Sequence, residues 1–343
     1  MICNESPLPF RGGVGGGAVT FSPTPTPPLK GRGFDRAALV DHARDSIARG
    51  SKSFALASKL FDPVTRERAW LLYAWCRKCD DLADGQDMGH GMSAVADAKD
   101  RVAYIREQTD AALAGQPTDD PAFAALAVVA SECRLPRAII FDVIEGFALD
   151  ADDWRPRAER DLYQYCYHVA GAVGLLMAIV MGIDPGDEET LDRACDLGLA
   201  FQLANIARDL SEDDSVGRCY LPVEWLAEMD IPPGQHMKPW LRPQLVPLAK
   251  RLADRSEAHE ASARVGAARL PFRARWAVLA AAGIYGDIAR EVRRRGAQAW
   301  DHRVITTRGQ KIGWVARSLA QAMRTPVPVS REGLWTRPRN PAA

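Results

Sequence analysis

The sequence predicts an all-α protein built as a single-domain helical bundle. Three observations carry that expectation: apolar residues recur at steps of three and four over long segments, Pro and Gly punctuate those segments, and no segment holds a convincing strand alternation. The 343 residues, 47% of them apolar, are ample for one large core and exclude disorder throughout. Lys and Arg number 44, as do Asp and Glu, so no global charge calls for nucleic acid as a partner.

Residues 1–33 contain GGVGGG and PTPTPP with almost no apolar period, and read as a disordered leader outside the fold. From Phe34 helical signals dominate, beginning with Leu39, His42, Ala43 and Ile47 at helical spacing and Gly50 as the stop. Further helical segments follow, separated at Asp62-Pro63, Pro117, Pro136, Pro156, Asp184-Pro185-Gly186, Pro232-Pro233-Gly234 and Pro271. The YQYCYH run, residues 163–168, alternates with period two but continues without a breaker into a long apolar segment, so it predicts helix. That apolar segment, residues 169–183, is short of the roughly 18 to 20 residues a membrane span needs, and predicts a buried helix. The domain is expected to cover residues 34–324. The tail, residues 325–343, is proline-rich and expected to be loose.

Seven cysteines, an odd number widely scattered, suit a reducing cytoplasm. Cys76 and Cys79 form a C-x-x-C, but neither a second pair nor a preceding strand supports a zinc or redox site, so they read as small residues on an inner helix face.

In TRERAWLLYAWCRKCDDLADG, Ala69, Leu72, Cys76, Cys79 and Ala83 form one helix face, with Tyr73, Arg77, Asp80, Asp81 and Asp84 beside it. LGLAFQLANIARDLSEDD repeats the design, with Leu199, Leu203, Ile206 and Leu210 inward and Gln202, Asn205, Asp209 and Asp213 adjacent. Carboxylates one turn apart cost about 0.2–0.5 kcal/mol unless a cation offsets them. Two solvated acidic faces are the plain alternative. Against it, each acidic stripe sits in an otherwise apolar helix beside aromatic or amide groups and an arginine, Arg77 or Arg208. Hard oxygen ligands so arranged suit Mg²⁺ or Mn²⁺ held jointly with substrate phosphates, and Arg77, Arg208 and Arg218 match a diphosphate.

Five ordered segments carry a specific resemblance: GSKSFALASKLF (50–61), YAWCRKCDDLAD (73–84), EGFALD (145–150), YCYHVAGAVG (165–174) and LGLAFQLANIARDLSEDDSVGRCYLP (197–222). Together they resemble the squalene and phytoene synthase family over most of the chain. The resemblance implies a bundle of the isoprenoid synthase type around a central active-site cavity. It implies that Asp80, Asp84, Asp209 and Asp213, with Asn205, bind Mg²⁺ or Mn²⁺, and that Ser51, Ser53, Arg77, Arg208 and Arg218 hold diphosphate. Tyr165, Gln202, Asn205 and Tyr220 are then expected at the reacting centre, with Phe54, Tyr73 and Tyr285 as further pocket aromatics. Val169, Ala170 and Gly174 are expected to border the second substrate. Two departures stand out, Ser211 after the second cluster and Gly286 after Tyr285, and neither is a metal ligand.

The implied reaction joins two geranylgeranyl diphosphates head to head to phytoene. The rival within the family joins two farnesyl diphosphates to squalene or dehydrosqualene, and a non-catalytic member of the fold is the rival outside it. With no G-x-G-x-x-G opening a helix after a strand, no NADPH is expected. Alanine at Asp80 or Asp209 is expected to abolish turnover with little change in melting temperature. From Arg264 to Arg324, 13 basic residues face three acidic ones. A solvated surface explains that excess, and attraction to an anionic membrane surface is the alternative, at about 1 kcal/mol per basic residue. A cytoplasmic protein peripheral on the inner membrane, in contact with a phytoene desaturase, is the corresponding expectation.

Overall fold

The fold was read from a computed structural model, which describes residues 34–84 and 97–339. The expected leader, residues 1–33, lies outside the described residues, as do the side chains of Ser53 and Asp84. Among the described residues the chain is helical and has no strand. The helices are α1 (Arg36–Gly50), α2 (Lys52–Ser58), α3 (Pro63–Asp84), α4 (Ala98–Leu113), α5 (Pro121–Cys133), α6 (Arg137–Ala151), α7 (Glu159–Cys166), α8 (Ala172–Val180), α9 (Glu188–Ser215), α10 (Val223–Glu228), α11 (Arg242–Gly266), α12 (Phe272–Arg295) and α13 (Arg308–Ala322).

The breakers seen in the sequence act at the helix ends. Ser51 accepts the Phe54 N–H and caps α2, Asp120 accepts from Ala122 with Pro121 in the first turn of α5, and Asp187 accepts from Thr190 to cap α9. Cys76 and Cys79 are buried in α3, and burial pushes the Cys76 thiol up to about 12, as suits core residues rather than reactive thiols.

α9 is the axle of the bundle and packs on α8, α11 and α12. Leu199, Leu203, Ile206 and Leu210 are buried, but so are Gln202, Asn205, Asp209 and Asp213 on the polar stripe. That stripe is therefore not a solvated acidic face. A helix buried all round must satisfy its polar groups from within the protein or from a ligand.

The YQYCYH run is helical as expected, but α7 passes into α8 through a single π-helical turn, Tyr167–Gly171. This wide turn presses its backbone on α9. A Cβ on Gly198 would lie 2.3 Å from the Ala170 carbonyl oxygen and 2.7 Å from the Gly171 Cα, and neither is a flexible side chain able to move aside. Gly198→Ala is accordingly expected to lower stability by about 3 kcal/mol, seen as a lower thermal melting midpoint. The continuous stretch Glu159–Val180 has the length and composition to cross a membrane, but two-thirds of its most apolar window is buried inside the bundle.

One expectation needs correction. The tail is not loose over its described part. Arg331 donates to Asp196 at 2.8 and 3.1 Å, Arg337 donates to Asp192 at 3.0 Å, and Trp335 stacks on Tyr163 with ring centroids 6.0 Å apart. Charged and aromatic residues between the prolines dock this segment without any helix. The basic excess of residues 264–324 is answered in part by acidic residues outside that stretch: Arg264 and Arg290 meet Glu260, and Arg293 meets Asp254 and Glu257. Gly286 belongs to this arrangement, since a Cβ there would sit 2.0 Å from the Glu260 carboxylate.

Candidate active site

The C-terminal half of α9 carries the densest buried polar chemistry. Asp209 is clamped by two arginines: Arg208 donates from Nε at 2.7 Å, and Arg303, from the α12–α13 connection, donates at 3.0 and 3.1 Å. Burial pushes the Asp209 carboxyl up, but the paired guanidiniums outweigh it and hold the group below the ordinary carboxylate range. Asp213, one turn on, is the opposite case. Burial and the neighbouring Asp209 charge push it up to about 8, and Arg218 only partly offsets them. A neutral acid thus stands beside an ionised one.

On α3, Arg77 and Asp80 are both buried and bonded at 2.6 Å, with Asp81 at 3.8 Å from the same guanidinium. Arg77 Nε also donates to the Tyr73 hydroxyl at 3.4 Å, and Tyr73 meets Phe54 edge to face at 5.6 Å. Ser51 is buried and its hydroxyl caps α2.

An apolar cavity runs along α9 from this end. Of the expected pocket residues, Phe54, Ala170, Gly174, Gln202, Asn205 and Tyr285 line it, and Tyr285 stacks on Phe201 at 4.2 Å. Val169 is not among them and is buried against Gly146 of α6. Tyr73, Tyr165 and Tyr220 are likewise not on the cavity wall. Tyr165 and Tyr220 stack at 4.6 Å, and both hydroxyls donate to Asp150, at 3.1 and 2.9 Å. Trp154 covers the other face of Tyr165 at 5.8 Å.

Asp150, Arg303 and Trp154 were not singled out from the sequence. Asp150 ends the EGFALD segment, so the signal was present in that motif. Arg303 stands in a basic stretch without helical register to a carboxylate, and only the fold brings it 94 positions back to Asp209.

Two buried polar atoms in the cavity lack partners, Gln202 Nε2 and Asn205 Oδ1. Asn205 is one turn before Asp209. An unpaired amide oxygen, a protonated carboxyl at Asp213 and an arginine-saturated carboxylate at Asp209 fit a site that completes its ligation with a cation and an anionic ligand together. Among the described residues no three carboxylate, imidazole or thiol side chains converge to hold a metal alone. Mg²⁺-type ions bound through one or two carboxylates plus phosphate oxygens need no such cluster.

The family model for squalene/phytoene synthase matches residues 47–310, most of the chain. The chain belongs to the squalene/phytoene synthase family. A phytoene synthase from Pseudescherichia vulneris is 45% identical over 305 residues, covering 88% of this chain and 98% of the relative. A 15-cis-phytoene synthase from Paracoccus sp. is also 45% identical, covering 88% and 99%. Among solved structures, a dehydrosqualene synthase in complex with ligand superposes with a TM-score of 0.74 at 27% identity, over 83% of this chain and 96% of that one. A squalene synthase from Alicyclobacillus acidocaldarius, 23% identical over 76% of this chain and 95% of its own, shares the fold with a TM-score of 0.66. In this squalene/phytoene synthase the all-α class and the isoprenoid synthase type of bundle are as the sequence implied.

Proposed function

We propose that this family member is a 15-cis-phytoene synthase, a prenyltransferase that joins two geranylgeranyl diphosphates head to head, by way of prephytoene diphosphate, and releases diphosphate. This is the first committed step of carotenoid synthesis. The observation that carries the reading is the cavity: eight residues of α9 line it between Thr190 and Asn205, a span of about 22 Å at 1.5 Å per residue. That length accommodates an extended chain of four isoprene units, whereas the three of a farnesyl chain leave its far end unfilled. The relatives named 15-cis-phytoene synthase support the same choice.

The chemistry follows from where the polar groups stop and the apolar wall begins. Arg77 and Arg208 would meet the diphosphate with matched guanidinium donors, releasing part of their hold on Asp80 and Asp209 as they do so. Asp80, Asp209, Asp213 and Asn205 would hold Mg²⁺ or Mn²⁺, both suited to all-oxygen donors; the ion would supply charge neutralisation as the diphosphate leaves. Asn205 and Gln202 orient the head of the substrate at the junction of polar and apolar wall. Beyond them the cavity excludes water from the allylic cation, and Phe54 and Tyr285 present aromatic faces to it, each worth about 0.5–2 kcal/mol. The Asp150 pair holds the Tyr165 and Tyr220 rings rigid behind the Asp213 carboxyl.

The test is direct. With Mg²⁺ and no NADPH, purified protein is expected to convert geranylgeranyl diphosphate to a forty-carbon hydrocarbon identified by chromatography and mass. A thirty-carbon product from farnesyl diphosphate alone would move it to the dehydrosqualene branch.

A peripheral position on the cytoplasmic membrane face, beside a phytoene desaturase, suits an enzyme with a water-insoluble product. Ile305, Ile312 and Met323 are exposed near Arg308, Arg317 and Arg324 and are the residues to touch such a surface. Flotation with anionic vesicles tests it, and equal recovery with neutral ones speaks against it.

A further inference from the structure

The far end of the cavity contains a residue foreign to an apolar wall. Thr190 and Arg193 of α9 meet Met181 and Ile183 after α8, and Gly266 and Leu270 at the end of α11. The stem of Arg193 lies flat on the α11 backbone: a Cβ on Gly266 would stand 2.5 Å from the Arg193 Cβ and 3.2 Å from its Cδ. Its head is anchored outside the cavity. Nη1 donates to the Ser262 hydroxyl at 3.2 Å and to the Val329 carbonyl at 3.2 Å, while the buried Nε has no hydrogen-bond partner.

Val329 belongs to the C-terminal segment, which is fastened just beyond it. Arg331 donates to Asp196 and Asp192, Arg337 donates to Asp192, and Trp335 stacks on Tyr163. Asp196 is fully buried, accepts from Ser262 and pairs with His259 at 2.9 Å. Ser262 therefore receives Arg193 and donates to Asp196. One polar network joins the tail, α9 and α11 behind this end of the cavity.

We infer that Arg193, held in place by this C-terminal strap, is the stop that sets the longest prenyl chain the enzyme accepts. The inference rests on the phytoene synthase reading and adds a specificity-determining residue to it. A hydrocarbon tail reaching this corner meets a stem it cannot push aside without breaking the guanidinium's bonds to Ser262 and Val329. Truncation to alanine removes the stem from this corner together with the bonds that fix it, so the wall there no longer halts a longer chain.

The experiment compares kcat/KM for the twenty-carbon and twenty-five-carbon allylic diphosphates in the full-length enzyme, in Arg193→Ala, in Arg193→Lys and in Arg331→Ala. The preference for the longer substrate is expected to rise about tenfold or more in Arg193→Ala, to return toward wild type in Arg193→Lys, and to rise less in Arg331→Ala, which leaves the cavity wall intact. An unchanged ratio, or an equal fall with both substrates as a merely structural residue gives, overturns the inference. Should Arg193→Ala not fold, the ratio in Arg331→Ala decides. Wild-type enzyme inactive on the twenty-carbon substrate would sink the phytoene synthase reading instead; binding of unreactive thiolodiphosphate analogues of both lengths to the same proteins then still tests the stop.

Discussion

Asp80→Asn is expected to lower kcat by on the order of 10³-fold, with KM changed far less, because the carboxylate acts where charge develops on the departing diphosphate. The isosteric amide keeps a hydrogen-bond acceptor for Arg77, so the fold survives and the loss belongs to the chemistry. Turnover within tenfold of wild type would show that Asp80 serves only to hold Arg77. Alanine is a poorer probe than the sequence suggested. Arg77 and Asp80 are both buried and bonded at 2.6 Å, and Asp209 lies between Arg208 and Arg303. Alanine at either position takes both the charge and the hydrogen-bond acceptor from a buried guanidinium, a change that typically costs about 3–5 kcal/mol. Asp209→Ala is therefore expected to melt well below wild type, against the expectation of an unchanged midpoint.

The reason for that difference shows what a sequence carries. Periodicity placed Leu199, Leu203, Ile206 and Leu210 on an inner face, and all are buried. It says nothing of how many neighbours surround a helix, so the equally complete burial of Gln202, Asn205, Asp209 and Asp213 was not visible until α11, α12 and α8 closed around α9. Spacing within one helix set Arg77 beside one acidic stripe and Arg208 beside the other. Contacts across 94 or 135 positions, Arg303 with Asp209 and Arg331 with Asp196, have no local signature. The tail looked loose for the same reason: its order comes from arginines and one tryptophan reaching partners on other helices, not from any period of its own. Val169 lies on a π-helical turn and packs on Gly146 of α6, a contact that the apolar pattern does not reveal.

The contrast between Asp209 and Asp213 sets the second large effect. Asp213 titrates near 8 in the folded protein because burial and Asp209 disfavour its charge, whereas an unfolded chain titrates it near the ordinary 3.8. Between those values the folded state holds a proton that the unfolded state has lost. Stability from this group is thus full at low pH and declines as pH rises toward 8, by up to about 1.4 kcal/mol per pH unit. The metal-free protein is expected to melt progressively lower from pH 5 to pH 8, and Asp213→Asn is expected to flatten that slope. Ligation reverses the preference, since a cation and diphosphate stabilise the carboxylate that burial penalises. Binding of Mg²⁺ with inorganic pyrophosphate should then release close to one proton more from the wild type than from Asp213→Asn at pH 7, an excess that vanishes above about pH 9. Calorimetry in two buffers of different ionisation enthalpy reads that proton directly. Equal proton release from the wild type and Asp213→Asn at pH 7 would place Asp213 outside the ligand set and leave Asp209, Asn205 and Asp80 to hold the ion.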